Sequence, residues 1–457
     1  MGKLNAKQKA FLEEKFGNRV TFNRIERKLY GHDIASMPKI VKPFIGSTVP
    51  DAIVQPESTS ELVGLVQWAN KSKVPLTPRA KASSGYGGVL PIKKGVVVDF
   101  FRMNKVIAID PENLTATVQA GIVWEKLDRA LQKENLALKL YPSSYPGSTV
   151  GGWLAQGGTG FGSFESGWFY QNVQSAKVVL SDGTVKDFSG PDIELVSDAE
   201  GTTGLISEIT ISVRPLEEMG VIAIGCPDAH DLQQLIQSFI DEDLPIWSVS
   251  FINPRMAELK NKAPLREHQG HPIEKRVLLP ASYIVTLAFR KKDREILTGK
   301  FPKLLKPCQA EILSDRIAEH EWHERFNLMV VKRLGPSLVP AEVVVPLEAL
   351  GEVMAEIEDK VNQPIVKEGV IVRQGRNGKP EVVILGFIPS DQRKFAYNFV
   401  FGLNLTIMKI AERHGGRAYA TGLYFSNKAQ TILGKDRLAR MKDFKKTADP
   451  TGILNPG

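Results

Sequence analysis

Residues 145–167 restrict the fold of this chain more than any other segment, because eight of these 23 residues are glycine. Glycine loses more backbone entropy on folding than other residues and adds no side chain to a core. A dense glycine run in a globular chain therefore indicates tight turns or a backbone that lies very close to a large ligand. Residues 78–88 form a second segment of small residues upstream. Two such loops favour a phosphorylated or dinucleotide ligand bound by main-chain N–H groups.

Length and composition limit the class of protein. A chain of 457 residues is long enough for two or three domains, and 42% hydrophobic with 24% charged residues is typical of a soluble globular protein. No apolar run reaches the ~18 residues of a membrane-spanning helix, and the polar N-terminal residues contain no apolar signal core. We therefore expect a cytoplasmic protein without a direct membrane span.

Cysteine content and charge narrow the candidate partners. The two cysteines, Cys226 and Cys308, are too few for an iron–sulfur cluster or a cysteine zinc site within this chain. A disulfide between them is not expected in a reducing compartment. The formal charge of +8 favours an anionic ligand or an acidic partner. We expect no nucleic-acid binding, because the chain has no basic tract and no recognised motif.

The first half of the chain alternates strand and helix signals. Residues 52–88 predict a β-α-β unit whose helix begins with a capping box, formed by Ser58 and Glu61. An alternating strand is predicted over residues 114–120. Asp182-Gly183 between two apolar runs predicts a β-hairpin.

The second half contains fewer glycines and predicts an α+β domain. Its strand-like runs and helical stretches alternate from about residue 218 onward. The predicted strands are residues 221–224, 283–289, 343–346 and 381–386, and the predicted helices are residues 229–241, 348–361 and 393–414. A last, basic helix is predicted over residues 437–446.

Five segments together carry a resemblance to a known family. They are residues 51–56 with the capped helix, 78–88, 142–152, 200–206 and 449–457, in this order. Their order resembles that of FAD-linked oxidases of the vanillyl-alcohol oxidase and p-cresol methylhydroxylase type. Within this group the chain is most similar to the glycolate oxidase D subunit and to D-lactate dehydrogenase flavoproteins.

The resemblance implies an α+β fold with a defined domain order. A two-subdomain FAD-binding domain of the p-cresol methylhydroxylase type would occupy residues 1–217, with a helical lead-in over residues 1–47. A cap or substrate domain with an antiparallel sheet would occupy residues 218–410. Residues 411–457 would return to the FAD domain.

The resemblance also implies FAD as cofactor, bound without a covalent link, because we find no histidine suited to flavin attachment. The first loop would hold the diphosphate, the second would line the ribityl chain and flavin, and the third would pack on the ring systems. The implied cofactor-binding residues are Pro78, Arg79, Ala80, Lys81, Ala82, Ser83, Ser84, Gly87, Pro142, Ser143, Thr149, Gly151, Gly152, Gly158, Glu200, Gly204, Ile206 and Asn455.

The substrate half departs from the family pattern. The 2-hydroxy-acid dehydrogenases of this group resemble one another in a histidine-rich motif and in a later Glu-His-Gly. The corresponding residues here, 384–391 and 418–422, contain neither histidine nor Glu-His. We therefore predict no metal. The remaining candidates for catalysis are Tyr419 as acid or base, Arg325 as a carboxylate ligand, and His323. For each, a structural role remains an alternative.

These features predict an FAD-dependent oxidoreductase that oxidises a small organic acid, such as a 2-hydroxy acid, or an alcohol. Its electrons would pass to a partner, such as an iron–sulfur or other electron-transfer subunit. The alternative is a flavin-bearing electron-transfer subunit with a degenerate substrate site. A flavin-dependent transferase that forms a carbon–oxygen bond, as in alkyl-dihydroxyacetone-phosphate synthases, is a third reading.

Overall fold

The computed structural model describes residues 3–35, 42–268, 271–272, 275–335, 337–361, 366–391 and 393–457. The chain divides into two compact units. The first consists of Met1–Gly158, Phe169–Leu216 and Ala420–Gly457, and the second of Thr159–Trp168 and Glu217–Tyr419. Part of the glycine-rich segment, residues 159–167, thus belongs to the second unit.

The first unit contains a small, mostly parallel sheet. Its strands follow the spatial order Val20–Thr21, Ala52–Val54, Val96–Asp99 and Leu76–Arg79. The last three strands pair in parallel, as the predicted β-α-β unit requires. The C-terminal residues join the same sheet, because Leu76 donates its N–H to the Ile453 carbonyl at 2.8 Å and Asn455 donates to the Leu76 carbonyl at 2.8 Å.

A six-stranded antiparallel sheet forms the other part of the first unit. Its path is Val185–Ser189, Val173–Val179, Leu205–Pro215, Thr115–Gln119 and Val106–Asp110, and Leu136–Leu138 also pairs with Leu205–Pro215. The predicted hairpin at Asp182-Gly183 is confirmed, with Val179 opposite Val185 across the turn. The predicted strand over residues 114–120 is also confirmed.

Helices surround these sheets. They are Ala6–Phe16, Arg24–Leu29, Lys42–Ile45, Thr59–Ser72, Trp124–Lys133, Val150–Gln156, Ala429–Leu433 and Lys435–Ala448. Ser58 caps the Thr59–Ser72 helix, since its hydroxyl accepts the Glu61 N–H at 3.2 Å. Glu61 completes this turn differently from the predicted box, because its carboxylate accepts the N–H of Glu57 and pairs with Arg19.

An aromatic cluster packs the first unit beside the glycine-rich segment. The ring of Trp153 stacks on Phe169 with centroids 4.4 Å apart, and Trp124 meets Trp153 edge-on at 5.4 Å. All three side chains are buried. This cluster anchors both the Trp124–Lys133 helix and the Val150–Gln156 helix to one core.

The second unit is built on one eight-stranded antiparallel sheet. Its spatial order is Glu311–Ile312, Met219–Cys226, Tyr283–Arg290, Ser248–Ile252, Val366–Val372, Glu381–Ser390, Ser337–Pro346 and Arg417–Ala418. The helices of this unit are Ser163–Ser166, Ala229–Asp241, Pro254–Lys262, Arg294–Leu305, Asp315–His323, Leu350–Lys360 and Tyr397–Arg413. The predicted α+β class, with an antiparallel sheet in the second half, is confirmed.

The polar sequence of residues 260–276 predicts an exposed loop, but Lys260–Lys262 belong to the Pro254–Lys262 helix. Among its described residues, Glu267–His268 pairs with His271–Pro272 as a short antiparallel ladder. Cys226 and Cys308 are both buried and unbridged, as expected. In the part of the chain that the structure describes, no helix is both long and apolar enough to span a bilayer.

We predict that Gly151→Ala destabilises the protein while Gly147→Ala does not. A Cβ at Gly151 would lie 2.5 Å from the Ala120 Cβ and 2.7 Å from its carbonyl oxygen, whereas a Cβ at Gly147 meets nothing within 4 Å. Overpacking of this kind costs about 1–3 kcal/mol. Thermal unfolding of both variants measures the difference; equal melting temperatures would contradict the close packing.

Candidate cofactor and substrate sites

A cavity that is partly open to solvent lies in the first unit, and residues 78–84, 144–156 and 200–206 supply most of its lining. Ten of the predicted cofactor residues lie in the first two segments, namely Pro78, Arg79, Ala80, Lys81, Ala82, Ser83, Ser84, Thr149, Gly151 and Gly152. The third segment contributes Glu200, Gly204 and Ile206. The sequence motifs therefore converge on one cavity.

The first loop offers unused hydrogen-bond donors to this cavity. Among the described residues, the N–H groups of Lys81, Ala82, Ser83 and Ser84 and the two serine hydroxyls have no hydrogen-bond partner. Ala82 adopts a left-handed conformation, with φ +49°, within this run. Successive free N–H groups in a turn form an anion-binding concavity.

The second segment lines the cavity with backbone whose donors are already used. The N–H of Gly151 donates to the Ala120 carbonyl at 2.8 Å, and the N–H of Gly152 donates to the Thr149 hydroxyl at 3.1 Å. A Cβ at Gly152 would lie 2.8 Å from that hydroxyl oxygen. These two glycines therefore allow close packing within the protein and use their own N–H groups there.

Arg79 and Asp33 connect the cavity wall to the N-terminal segment. Arg79 donates to the His32 carbonyl at 2.9 Å. Burial lowers the pKa of Arg79, although the charges of nearby acidic groups act to raise it. Asp33 accepts the Gly87 N–H at 2.8 Å, and burial raises its pKa. Sequence reasoning missed Asp33, because no family motif marks it and only the preceding Gly31-His32 signals a turn.

Lys81 adds a second cation to the first loop, after Arg79. Its side chain lines the cavity mouth, with Nζ 4.6 Å from the centroid of the Phe101 ring. The Lys81 ammonium group therefore makes an exposed cation–π contact with Phe101 at the edge of the first loop.

Glu200, a partly exposed residue, contributes a carboxyl to the wall. Its Oε1 has no exposed surface and no hydrogen-bond partner among the described residues. Burial, followed by the charges of Asp198 and Asp33, raises the pKa of this carboxyl to about 8. A buried polar atom without a partner is costly, and a bound ligand is one way to satisfy it.

Five predicted cofactor residues lie outside the lining of this cavity: Gly87, Pro142, Ser143, Gly158 and Asn455. Asn455 is engaged within the protein, because its side-chain amide donates to the Gly88 carbonyl at 2.9 Å and to the Glu200 carbonyl at 2.7 Å. It therefore ties the C-terminus to the first loop and to the third segment. A direct contact of Asn455 with the flavin stays a prediction.

The cavity has the chemistry that FAD requires. Free N–H groups and hydroxyls at residues 81–84, next to Arg79 and Lys81, match a diphosphate with two negative charges. The unpartnered carboxyl of Glu200 offers one further polar contact. These residues therefore fit FAD and would hold its diphosphate at the first loop.

A second cavity, of about 480 Å³, lies in the second unit and contains Arg325. The guanidinium of Arg325 lies 3.9 Å from the Trp322 ring centroid and 4.3 Å from that of Phe326. It also donates to the Trp322 carbonyl at 2.6 Å. Phe161 lines the same cavity and meets the Phe326 ring edge-on at 5.4 Å. These aromatic contacts therefore restrict the orientation of the Arg325 guanidinium.

Charged residues that the sequence did not single out line the same cavity. Lys260 pairs with the buried Glu321, and Glu324 accepts a hydrogen bond from the Asn327 amide. Glu368, which is buried, also contributes to the lining. These residues are separated along the chain by up to about a hundred positions, and only the pairing of the sheet strands and helices brings them together.

The other two candidates for catalysis lie elsewhere in the second unit. The Tyr419 hydroxyl accepts the N–H of Thr159 at 3.1 Å, and its ring lies 6.3 Å from that of Trp168. His323 is the exposed last residue of the Asp315–His323 helix. Neither residue lines the second cavity. Within the described residues, no three His, Cys, Asp or Glu side chains cluster as a metal site requires.

Comparisons with known proteins identify both halves of the chain. A model of the FAD binding domain matches residues 50–189. A model of the C-terminal domain of FAD linked oxidases matches residues 216–457, which is more than half of the chain.

Curated relatives match over most of the chain. The mitochondrial D-lactate dehydrogenase [cytochrome] of Arabidopsis thaliana is 25% identical over 453 residues, covering 94% of this chain and 76% of the relative. The glycolate oxidase subunit GlcD of Bacillus subtilis is 24% identical over 431 residues, covering 90% and 89%.

Solved structures share the fold. The structure of p-cresol methylhydroxylase with bound substrate superimposes with a TM-score of 0.78 at 14% identity, covering 99% of this chain and 96% of that one. The predicted fold type is thereby confirmed.

We predict that Ser84→Asp weakens FAD binding. A carboxylate at this position would face the diphosphate across the free N–H groups of the first loop, and should raise the Kd by about tenfold or more, on the scale of one charged hydrogen bond. Titration of apoprotein with FAD, followed by flavin fluorescence, measures the Kd. Ser189→Asp, an exposed serine outside the cavity, is the control. Equal Kd values for the two variants would exclude the first loop as the diphosphate site.

Proposed function

The chain belongs to the FAD-linked oxidases, and on this premise we propose that it oxidises a small 2-hydroxy acid, or a related small alcohol, by hydride transfer to FAD. FAD, when bound, supplies the hydride acceptor. The protein's own contribution is to bind the substrate, to orient it and to accept a proton. The electrons then pass to a partner redox protein.

The observation that supports this proposal is the placement of the Arg325 guanidinium over two aromatic rings. A guanidinium that is held by two aromatic rings in a cavity can bind a carboxylate through two parallel hydrogen bonds. The apolar residues Phe251, Ile252 and Met256 line the same cavity and suit a short carbon skeleton. A small organic acid satisfies both features.

Oxidation of an alcohol group also requires an acceptor for the hydroxyl proton. We propose Tyr419 for this role, with His323 as the second candidate. The Thr159 N–H donates to the Tyr419 oxygen at 3.1 Å, and this hydrogen bond fixes the position of that oxygen. In this role Tyr419 would accept the substrate proton as a phenolate. His323 is exposed at the end of its helix.

Two considerations support an electron-transfer partner. With two buried, unbridged cysteines, the chain lacks the ligands for an iron–sulfur centre of its own. One relative is named for a cytochrome, and the other is named as a subunit of glycolate oxidase. An iron–sulfur or other redox subunit would fill this role here.

The alternative is a flavin-bearing subunit that relays electrons without a working substrate site. It is favoured by the missing histidines at residues 384–391 and 418–422. Anaerobic addition of D-lactate, glycolate, 2-hydroxyglutarate and a set of phenols to the yellow protein distinguishes the two. Bleaching of the flavin by a hydroxy acid supports the oxidoreductase. No bleaching by any compound, with a co-purifying iron–sulfur protein, supports the relay.

We predict that Arg325→Lys raises the KM for a carboxylate substrate by about 10–100-fold, the equivalent of one lost charged hydrogen bond. The kcat should change less, because the same interaction is present before and during the reaction. Steady-state kinetics with the hydroxy acid that bleaches the flavin measures both constants. Arg316→Lys changes an exposed arginine of the same unit and is the control. A KM that is unchanged by Arg325→Lys would remove this residue from substrate binding.

A further inference from the structure

Glu200 lies in the wall between two cavities of the first unit. Besides the cofactor cavity, it lines a neighbouring cavity of about 1200 Å³, and Gly88 lines both as well. A Cβ at Gly88 would lie 2.2 Å from the Glu200 Oε2. The absence of a side chain at position 88 therefore leaves the space that the Glu200 carboxyl occupies.

The backbone of Glu200 is held on both sides without help from its carboxyl. Its N–H donates to the Ala155 carbonyl at 2.8 Å, and its own carbonyl accepts the Asn455 amide at 2.7 Å. Glu200 has a backbone φ of +51°, a conformation that residues other than glycine rarely adopt. The carboxyl is thus directed into the wall by its backbone, although it makes no hydrogen bond to any described residue.

The charged groups around Glu200 do not favour its ionised form. Asp198 and Asp33 both act on it with like charge. The nearby cations are engaged elsewhere: Arg437 pairs with Asp198 at 2.9 Å, and Lys445 bonds to Asp449 and to the Thr202 carbonyl. Arg79 bonds to the His32 carbonyl, and Lys81 lies over the Phe101 ring. Burial acts in the same direction as the two aspartates.

We propose that Glu200 is a carboxylic acid at neutral pH and donates a hydrogen bond to an acceptor atom of bound FAD. The proposal rests on the cofactor site in the first unit and does not depend on which substrate is oxidised. Glu200 is then a positioning residue, and its proton is a required part of the binding site. A carboxylate here would lose the donor and would repel the diphosphate.

FAD affinity should accordingly depend on pH in one direction. The free carboxyl has a pKa of about 8, and a hydrogen bond from its protonated form to FAD raises that pKa further. Below pH 8 the Kd should be constant. Above pH 8 it should increase by up to about tenfold per pH unit, because binding then requires uptake of a proton.

Titration of apoprotein with FAD between pH 6.5 and 9 tests this dependence, with flavin fluorescence as the readout. The unaltered protein should show a Kd several-fold higher at pH 9 than at pH 7. Glu200→Gln, which retains N–H donors and cannot ionise, should bind at pH 7 and show no increase. Glu112→Gln makes the same change at an exposed position and should behave like the unaltered protein. Any pH effect that comes from the titration of FAD itself would appear equally in both proteins. A Kd of the unaltered protein that does not rise, or one that rises equally in Glu200→Gln, would overturn the proposal.

A second measurement uses only the unaltered protein, in case Glu200→Gln does not fold. Calorimetric titration with FAD at pH 8.5 in two buffers of different ionisation enthalpy counts the protons exchanged on binding. We expect uptake of roughly half a proton or more per FAD bound. Binding without proton uptake would contradict the role of Glu200. Failure to bind FAD under any condition would instead contradict the cofactor site itself.

The unligated protein offers an independent check of the protonation state. A carboxyl whose pKa is raised by folding contributes stability that is complete below pH 4.5 and is lost as pH rises to about 8. The melting temperature of Glu200→Gln, relative to that of Glu112→Gln, should therefore increase between pH 5 and pH 8 and then remain level. A constant difference across this range would show that Glu200 is ionised throughout.

Discussion

The close approach of the Val150–Gln156 helix to Ala120 is the contact on which the first unit depends. Gly151 donates its N–H to the Ala120 carbonyl at 2.8 Å, and a side chain at position 151 would overlap Ala120. This contact brings the helix against the end of the Thr115–Gln119 strand, where Trp153 joins the core of Trp124 and Phe169. Ala120, Gly151 and Trp153 also line the cofactor cavity, so the packing of this core contributes to the shape of the site.

The loops around the cavity differ in function although they look alike in sequence. In the glycine-rich segment, Gly151 and Gly152 use their N–H groups within the protein. The first loop holds free donors at residues 81–84. The third segment adds a carboxyl that the protein leaves without a partner. In the proposed arrangement, the first loop would bind the anion and the third segment would position the coenzyme.

In the second unit, two aromatic rings restrict the orientation of the Arg325 guanidinium. The Arg325 guanidinium lies over the Trp322 and Phe326 rings, 3.9 and 4.3 Å from their centroids, which restricts its rotation. The neighbouring ion pair of Lys260 and Glu321 is compensated locally. Carboxylate recognition by Arg325 would require little rearrangement of side chains, which is the condition for selective binding of a small anion.

The sequence alone determined the fold class, several of the longer helices and strands, and the three segments that supply most of the cofactor-cavity lining, because apolar periodicity, capping residues and turn residues act locally. The Asp182-Gly183 hairpin and the Ala229–Asp241 helix are examples. Only the tertiary structure decided which N–H groups remain free, where Asn455 directs its amide, and that Asp33, Lys260 and Glu368 line cavities. These outcomes depend on partners that are distant in the chain, and neither the spacing of residues nor their composition specifies such pairings.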